Sequence, residues 1–182
     1  FRRYGRFRDA AAVDEMVLTR MADQPEALAA VRRLVETHLL RNRASLASDV
    51  RMTYAPRFAP GGAWYEAQET DSVRAAGEAF ARESYLAEVA EHHERAVDSN
   101  SRDEWRRTLR AYESLLAHWP DDPDAVAYRL GAGEASLRLG NYPAAVEHFT
   151  FAEHAGPDSS DTPAELQRVA AADAWYESTR SG

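Results

Sequence analysis

The stretch GNYPAAVEHFTFA, Gly140 to Ala152, decides how this chain is read. It echoes GRFRDAAAVDEMV near the start: each sets a glycine two residues before an aromatic and an alanine three residues after it. Gly5 and Gly140 lie 135 residues apart, close to four spans of about 34 residues, a length typical of helical repeats. Gly140–Asn141 suits the left-handed backbone that ends a helix, and Pro143 falls near the first turn of the next one, where proline is tolerated. Ala145, Phe149 and Ala152, spaced by four and three, share one helical face. Just before them, DDPDAVAYRLGAGEASLRLG opens on turn residues and Pro123 and runs as a helix to Gly140. The pair reads as a helical hairpin that stops at HAGPDSSD.

Working upstream, DEWRRTLRAYESLLAHWPDDP repeats the second-helix pattern, with an apolar stripe of Trp105, Leu109, Tyr112 and Leu115 or Leu116, closed by Pro120. Trp105 stands where Tyr142 stands, 37 residues earlier. Before it, Val73, Ala76, Phe80, Leu86, Val89 and Val97 recur at roughly helical spacing, as one long helix or two shorter ones ending at the Ser99–Asn100–Ser101 turn. Near the start, Gly5, Phe7, Ala10 and Val17 take the places of Gly140, Tyr142, Ala145 and Ala152. PEALAAVRRLVETHLLRN follows as a first helix, with Asn42 where Gly140 would fall; asparagine is the best non-glycine choice for a left-handed residue. The pattern weakens over residues 43–70. Pro56, Pro60 and Gly61–Gly62 predict an irregular connection after a short helix, with the greatest mobility of any interior segment; Phe58, Trp64 and Tyr65 either stand exposed on it or tuck back onto the array. A last helix, TPAELQRVAAADAWYES, is expected to pack Leu166, Val169, Ala170, Trp175 and Tyr176 against the hairpin before it.

These residues resemble the tetratricopeptide repeat family, whose unit is a 34-residue antiparallel helix pair. The best copy, 126–159, places Gly133, Gly140, Tyr142, Ala145, Phe149, Ala152 and Pro157 on the family's small and aromatic positions. Arg129 stands where the first helix usually has tryptophan, Thr108 replaces an alanine in the copy around Trp105, and 43–70 barely conforms. The resemblance implies an all-α, right-handed solenoid across 1–182. Its parts are a partial repeat at 1–23, a divergent repeat at 25–60, a repeat at 72–120, the best repeat at 123–157 and a capping helix at 162–178, with the insertion near 54–70. Because the pattern starts inside a repeat, a piece of a longer array or an atypical cap is expected, and a cut array exposes an apolar end that associates. The resemblance also implies a concave groove lined by Arg32, Glu36 and Leu39, by His93, Val97 and Asn100, and by Leu130, Glu134, Leu137 and Arg138, free of any packing duty.

Composition limits the chemistry. The chain has 35 alanines, 22 arginines and no lysine, a helix-rich bias that also suggests a GC-rich bacterial genome. A net charge of −8 argues against nucleic acid, which needs a basic field. The one local exception, FRRYGRFR, reads as the exposed side of a helix more readily than as a docking patch. Without cysteine there is no disulfide or thiol chemistry, and no apolar run approaches the roughly 18 residues of a membrane span; the compartment stays open between cytoplasm and periplasm. His92 and His93 in EHHE point about 100° apart on a helix and cannot chelate one ion together, although Glu88 and His92 share a face. His148 and His154 do not pair. RLGAGEASLRLG lacks the strand and lysine of a phosphate loop. PDDPD reads as turn and cap residues, and Trp105/Tyr112 and Trp175/Tyr176 as core. We expect no catalytic constellation, metal or cofactor. The expected function is a non-enzymatic scaffold binding a peptide or protein in the groove, within a larger bacterial envelope, secretion or motility assembly; the alternatives are a structural module that self-associates through its ends and a regulatory accessory domain of a longer enzyme.

Overall fold

A computed structural model describes residues 7–155 and 163–180. Gly5, the FRRYGRFR arginines up to Arg6, Pro157 and most of HAGPDSSD lie outside the described residues. Within them the chain is all-helical: α1 (Phe7–Arg20), α2 (Glu26–Leu39), α3 (Ala44–Phe58), α4 (Ala63–Ala67), α5 (Asp71–Ser99), α6 (Arg102–His118), α7 (Ala125–Leu139), α8 (Tyr142–Ala155) and α9 (Pro163–Arg180). Consecutive helices pack on one another. The chain divides into two compact units between Glu88 and Val89, inside the single long helix α5.

The expected turns are present at both hairpins. Gly140 is left-handed, with φ 75°. Its N–H donates to Leu137 O at 3.0 Å, and Asn141 N–H donates to Ser136 O at 2.9 Å. That pair of bonds satisfies carbonyls that the end of α7 leaves open. Asn42, φ 54°, repeats the arrangement after α2: its N–H donates to Leu39 O at 2.9 Å and Arg43 N–H to His38 O at 3.0 Å. Asn100, φ 48°, makes the turn between α5 and α6.

In the first unit the apolar side of α2 (Ala27, Ala30, Val31, Leu34) is fully buried, which removes from water the surface that drives folding. Buried Asp14 of α1 accepts from Arg33 Nε at 2.8 Å and Nη2 at 2.6 Å. A buried carboxylate is tolerable only with such a partner.

Residues 54–70 correct the sequence reading. α3 runs on through Pro56 to Phe58, although a proline there has no N–H for the Met52 carbonyl; packing of Phe58 against Trp64 and Phe80 holds the last turn in place. Phe58 and Trp64 are buried, at 1% and 0% exposure, and Tyr65 is half-buried. The rings of Phe58 and Trp64 sit 4.7 Å apart and those of Phe58 and Phe80 5.5 Å apart. A Cβ on Gly77 of α5 would fall inside the Trp64 ring. The indole Nε1–H donates to Gln24 O at 2.7 Å, and Gln68 Nε2 donates to Asp23 O at 3.0 Å and Trp64 O at 2.8 Å. Of the two placements expected for these aromatics, Phe58 and Trp64 take the one tucked back into the core, where the segment plugs the α1–α2 connection.

In the second unit Trp105 packs with Ala96 and Ala135, and Phe149 with Ala145 and Ala171. Phe149 rests on Gly133 and Tyr112 on Gly131, each ring filling the space a Cβ would take. Thr108, at the expected alanine position, is fully buried and turns its hydroxyl back to Glu104 O at 2.9 Å.

α9 is a second correction. It packs on α8, but through Ala164 and Ala171, which are buried, while Leu166 (64% exposed), Val169, Trp175 and Tyr176 (61%) face outward and Ala170 is exposed too. Alanines let two helix backbones approach closely, and Arg168, between the two alanines on that face, donates to Glu153 Oε2 at 2.7 Å. Close packing and an ion pair together select the alanine face over the larger side chains.

Candidate functional site

The residues expected to form a groove fall in both units. In the first, Arg32, Glu36 and Leu39 recur at i, i+4 and i+7 on α2 and so share one face. With Val35, Arg51 of α3 and Phe80, Glu83 and Ser84 of α5 they line a cavity of about 320 Å³. Phe80, Val35 and Leu39 supply apolar surface. Arg32 donates through Nη2 to Ala76 O at 3.1 Å, with its guanidinium 6.0 Å from the Phe80 ring centroid. That contact holds the arginine stem along the cavity wall and leaves further N–H groups for a ligand. Buried Ser84 turns its hydroxyl to Phe80 O at 2.8 Å, so it is satisfied within its own helix. Arg51, Phe80 and Glu83 were not expected here; the one available signal was the i, i+3, i+4 spacing of Phe80, Glu83 and Ser84.

In the second unit three expected residues meet. Glu134 on α7 lies between Arg138, whose Nη2 is 3.5 Å from Oε1, and His93 of α5, whose Nε2 is 3.9 Å from Oε2. His93 Nδ1 is 3.0 Å from Tyr112 Oη. The wall behind them is aromatic: Trp105 is 5.7 Å from the His93 ring, and the Arg138 guanidinium is 5.5 Å from the Trp105 ring. Burial and then the Glu134 charge push the Tyr112 phenol above its ordinary value, so it stays protonated and available for hydrogen bonding at neutral pH. Trp105 is core, as expected, yet its Nε1 is buried without a partner among the described residues.

The other expected groove residues do not join this cluster. Val97 is exposed and Asn100 serves as the left-handed turn. Leu130 and Leu137 are half-buried and pack on the Ala145–Phe149–Ala171 core, contrary to the expectation that they carry no packing role. Phe58 and Trp64 are in the core of the first unit, so they offer no surface.

Adjacent His92 and His93 serve different partners, as their angular separation requires. His92 Nδ1 is 2.8 Å from Glu104 Oε2, and that hydrogen bond outweighs the opposing effect of burial and, with a smaller contribution from the Arg107 charge, holds the Glu104 carboxyl below its usual value. Glu88, on the same face as His92, accepts from Ser48 Oγ at 3.1 Å. No helix among the described residues is long and apolar enough to cross a membrane. No protein-family model matches the chain, and neither a curated protein nor a solved structure matches it.

Proposed function

We propose that this chain is a non-catalytic binding scaffold of the tetratricopeptide kind, a right-handed α-solenoid whose first helices present a peptide or partner protein with its binding surface, within a larger bacterial assembly. The observation that carries the reading is the first-unit cavity: three residues that the tetratricopeptide resemblance implies for a ligand face, Arg32, Glu36 and Leu39, line it together with Phe80. An apolar floor edged by charges of both signs suits a peptide with an apolar anchor flanked by charged side chains. The second-unit cluster of His93, Glu134 and Arg138 has the same mixture, which extends the reading to that unit.

The test is selection from a displayed peptide library on the wild-type chain, followed by affinity measurements on Arg32→Glu and Glu134→Arg variants shown by circular dichroism to stay folded. Selected peptides should carry an apolar residue beside a charged one and bind Arg32→Glu at least about tenfold more weakly, the loss expected when a charge-assisted contact turns repulsive. Peptides that bind all three proteins equally would remove the scaffold face from consideration.

A second reading, self-association, is favoured by the outward Leu166, Val169, Trp175 and Tyr176 of α9, since clustered exposed apolar side chains mark association sites. Sedimentation should then show a concentration-dependent dimer that Leu166→Glu/Val169→Glu abolishes. A monomer at every concentration would retire it.

A further inference from the structure

A second cavity, of about 370 Å³, lies between α6, α7 and α8 and uses none of the residues assigned above. Its central group is Arg129 of α7. One face of the guanidinium lies 4.6 Å from the Phe151 ring centroid, and Nη1 is 3.4 Å from His148 Nδ1, a long hydrogen bond. Its Nε is sealed from solvent with no partner, and no carboxylate among the described residues is within ion-pair distance. The histidine does not neutralise it: burial, and then the Arg129 charge, hold the His148 imidazole below its ordinary value, so at neutral pH it is uncharged and accepts through Nδ1. Glu113 of α6 and Glu147 of α8 are exposed on the rim, and neither has a cationic partner among the described residues. One cavity thus holds a cation without an anion and two anions without a cation. Leu116 and Ala144 add apolar lining.

We propose that this cavity binds a free amino acid as its zwitterion, with the carboxylate on Arg129, the ammonium held by Glu113 and Glu147, and an apolar side chain against Leu116 and Ala144. A guanidinium is the side chain best shaped for a carboxylate, because its planar N–H groups match the two oxygens. The rim carboxylates disfavour a multiply charged anion such as phosphate and favour a ligand that brings its own positive charge. The volume is at the small end of ligand sites, which run from about 300 to 1,000 Å³. The site does not depend on the peptide-binding reading.

The test is an NMR titration of the full chain with L-leucine, following the Arg129 Nε–H and His148 imidazole signals. L-Leucine should move both saturably. 4-Methylpentanoate, which lacks the ammonium, and leucinamide, which lacks the carboxylate, should each bind at least about tenfold more weakly, the usual weight of one charge-assisted contact. Arg129→Met should lose the response. Because that variant also disturbs packing on Phe151, Glu147→Gln supplies the second arm: it should weaken leucine and leave 4-methylpentanoate no weaker. Unmoved signals, equal binding of leucine and 4-methylpentanoate, or phosphate binding as tightly as leucine would each overturn the proposal.

Discussion

Both units seat an aromatic ring on a helical glycine, but they do it differently. In the second unit Phe149 of α8 rests on Gly133 of α7, so ring and seat belong to one helical hairpin. In the first unit Trp64 rests on Gly77 of α5, and the ring comes from a one-turn helix between longer ones. Its indole N–H also reaches back to Gln24, forty residues earlier. The second-unit knob is local and periodic, with packing as its only duty. The first-unit knob is long-range, has a polar bond to keep, and closes a distant turn. The lesson is that one packing device, an aromatic in the space of a missing Cβ, serves a repeat in one place and replaces it in another.

The largest break in this comparison is expected from Trp64→Ala. Removing a fully buried indole should cost about 3–5 kcal/mol, read as a lower denaturation midpoint. It should also speed hydrogen exchange at the α1–α2 turn, where Gln24 O loses its donor. Next come the two seats. Gly77→Ala and Gly133→Ala each push a methyl into a ring, an overpacking of about 1–3 kcal/mol, less about 0.5–1 kcal/mol of better helix propensity. Gly77→Ala should be the costlier, because Trp64 is fixed at both its ring and its N–H. In a thermodynamic cycle, Trp64→Ala should relieve the Gly77→Ala penalty.

Smaller effects separate the two turns. Gly140→Ala forces a side chain into the left-handed region and should cost about 1–2 kcal/mol. Asn42→Gly, at the matching turn, should change stability by no more than a few tenths of a kcal/mol, roughly neutral. Equal costs at Gly140 and Asn42 would mean that the turns are not equivalent.

The smallest expected effect is a pH dependence confined to the second unit. His148 has a folded pKa below its ordinary value of 6.5, so the unfolded chain takes up its proton first as pH falls. Its contribution is fully present above about pH 6.5 and is lost progressively below it. Wild type should therefore lose stability relative to His148→Gln between about pH 7 and 5. Wild type gaining stability relative to His148→Gln as pH falls from about 7 to 5 would reverse the assignment of His148 as a buried neutral group.

How far the sequence could be read follows the same division. Ala145, Phe149 and Ala152 announced the buried face of α8 because helical spacing and small-against-large packing agree there, and Asn42 and Gly140 announced their turns because few residues tolerate positive φ. Pro56 misled: proline signals a break, yet the turn after it is held by the burial of Phe58 against Trp64 and Phe80, which lie outside any local window. Trp64 could not be placed, since its partners Gln24 and Gly77 lie outside any local window. α9 misled in another way. Its large side chains at helical spacing look like a core stripe, yet the alanine face, pinned by Arg168 and Glu153, is the one that packs. At the candidate site, the resemblance named Arg32, Glu36 and Leu39, and their i, i+4, i+7 positions on α2 put them on one cavity wall. It was blind to Arg51 and Phe80, which arrive from other helices, and to the packing role of Leu130 and Leu137.

The most direct test of the binding account is amide hydrogen exchange on the full chain, with and without a peptide selected for binding. The account predicts slower exchange centred on α2 around Arg32 to Leu39, together with the Phe80–Ser84 stretch of α5. Slowing confined to α9, or no slowing in α2 at saturating peptide, would contradict it.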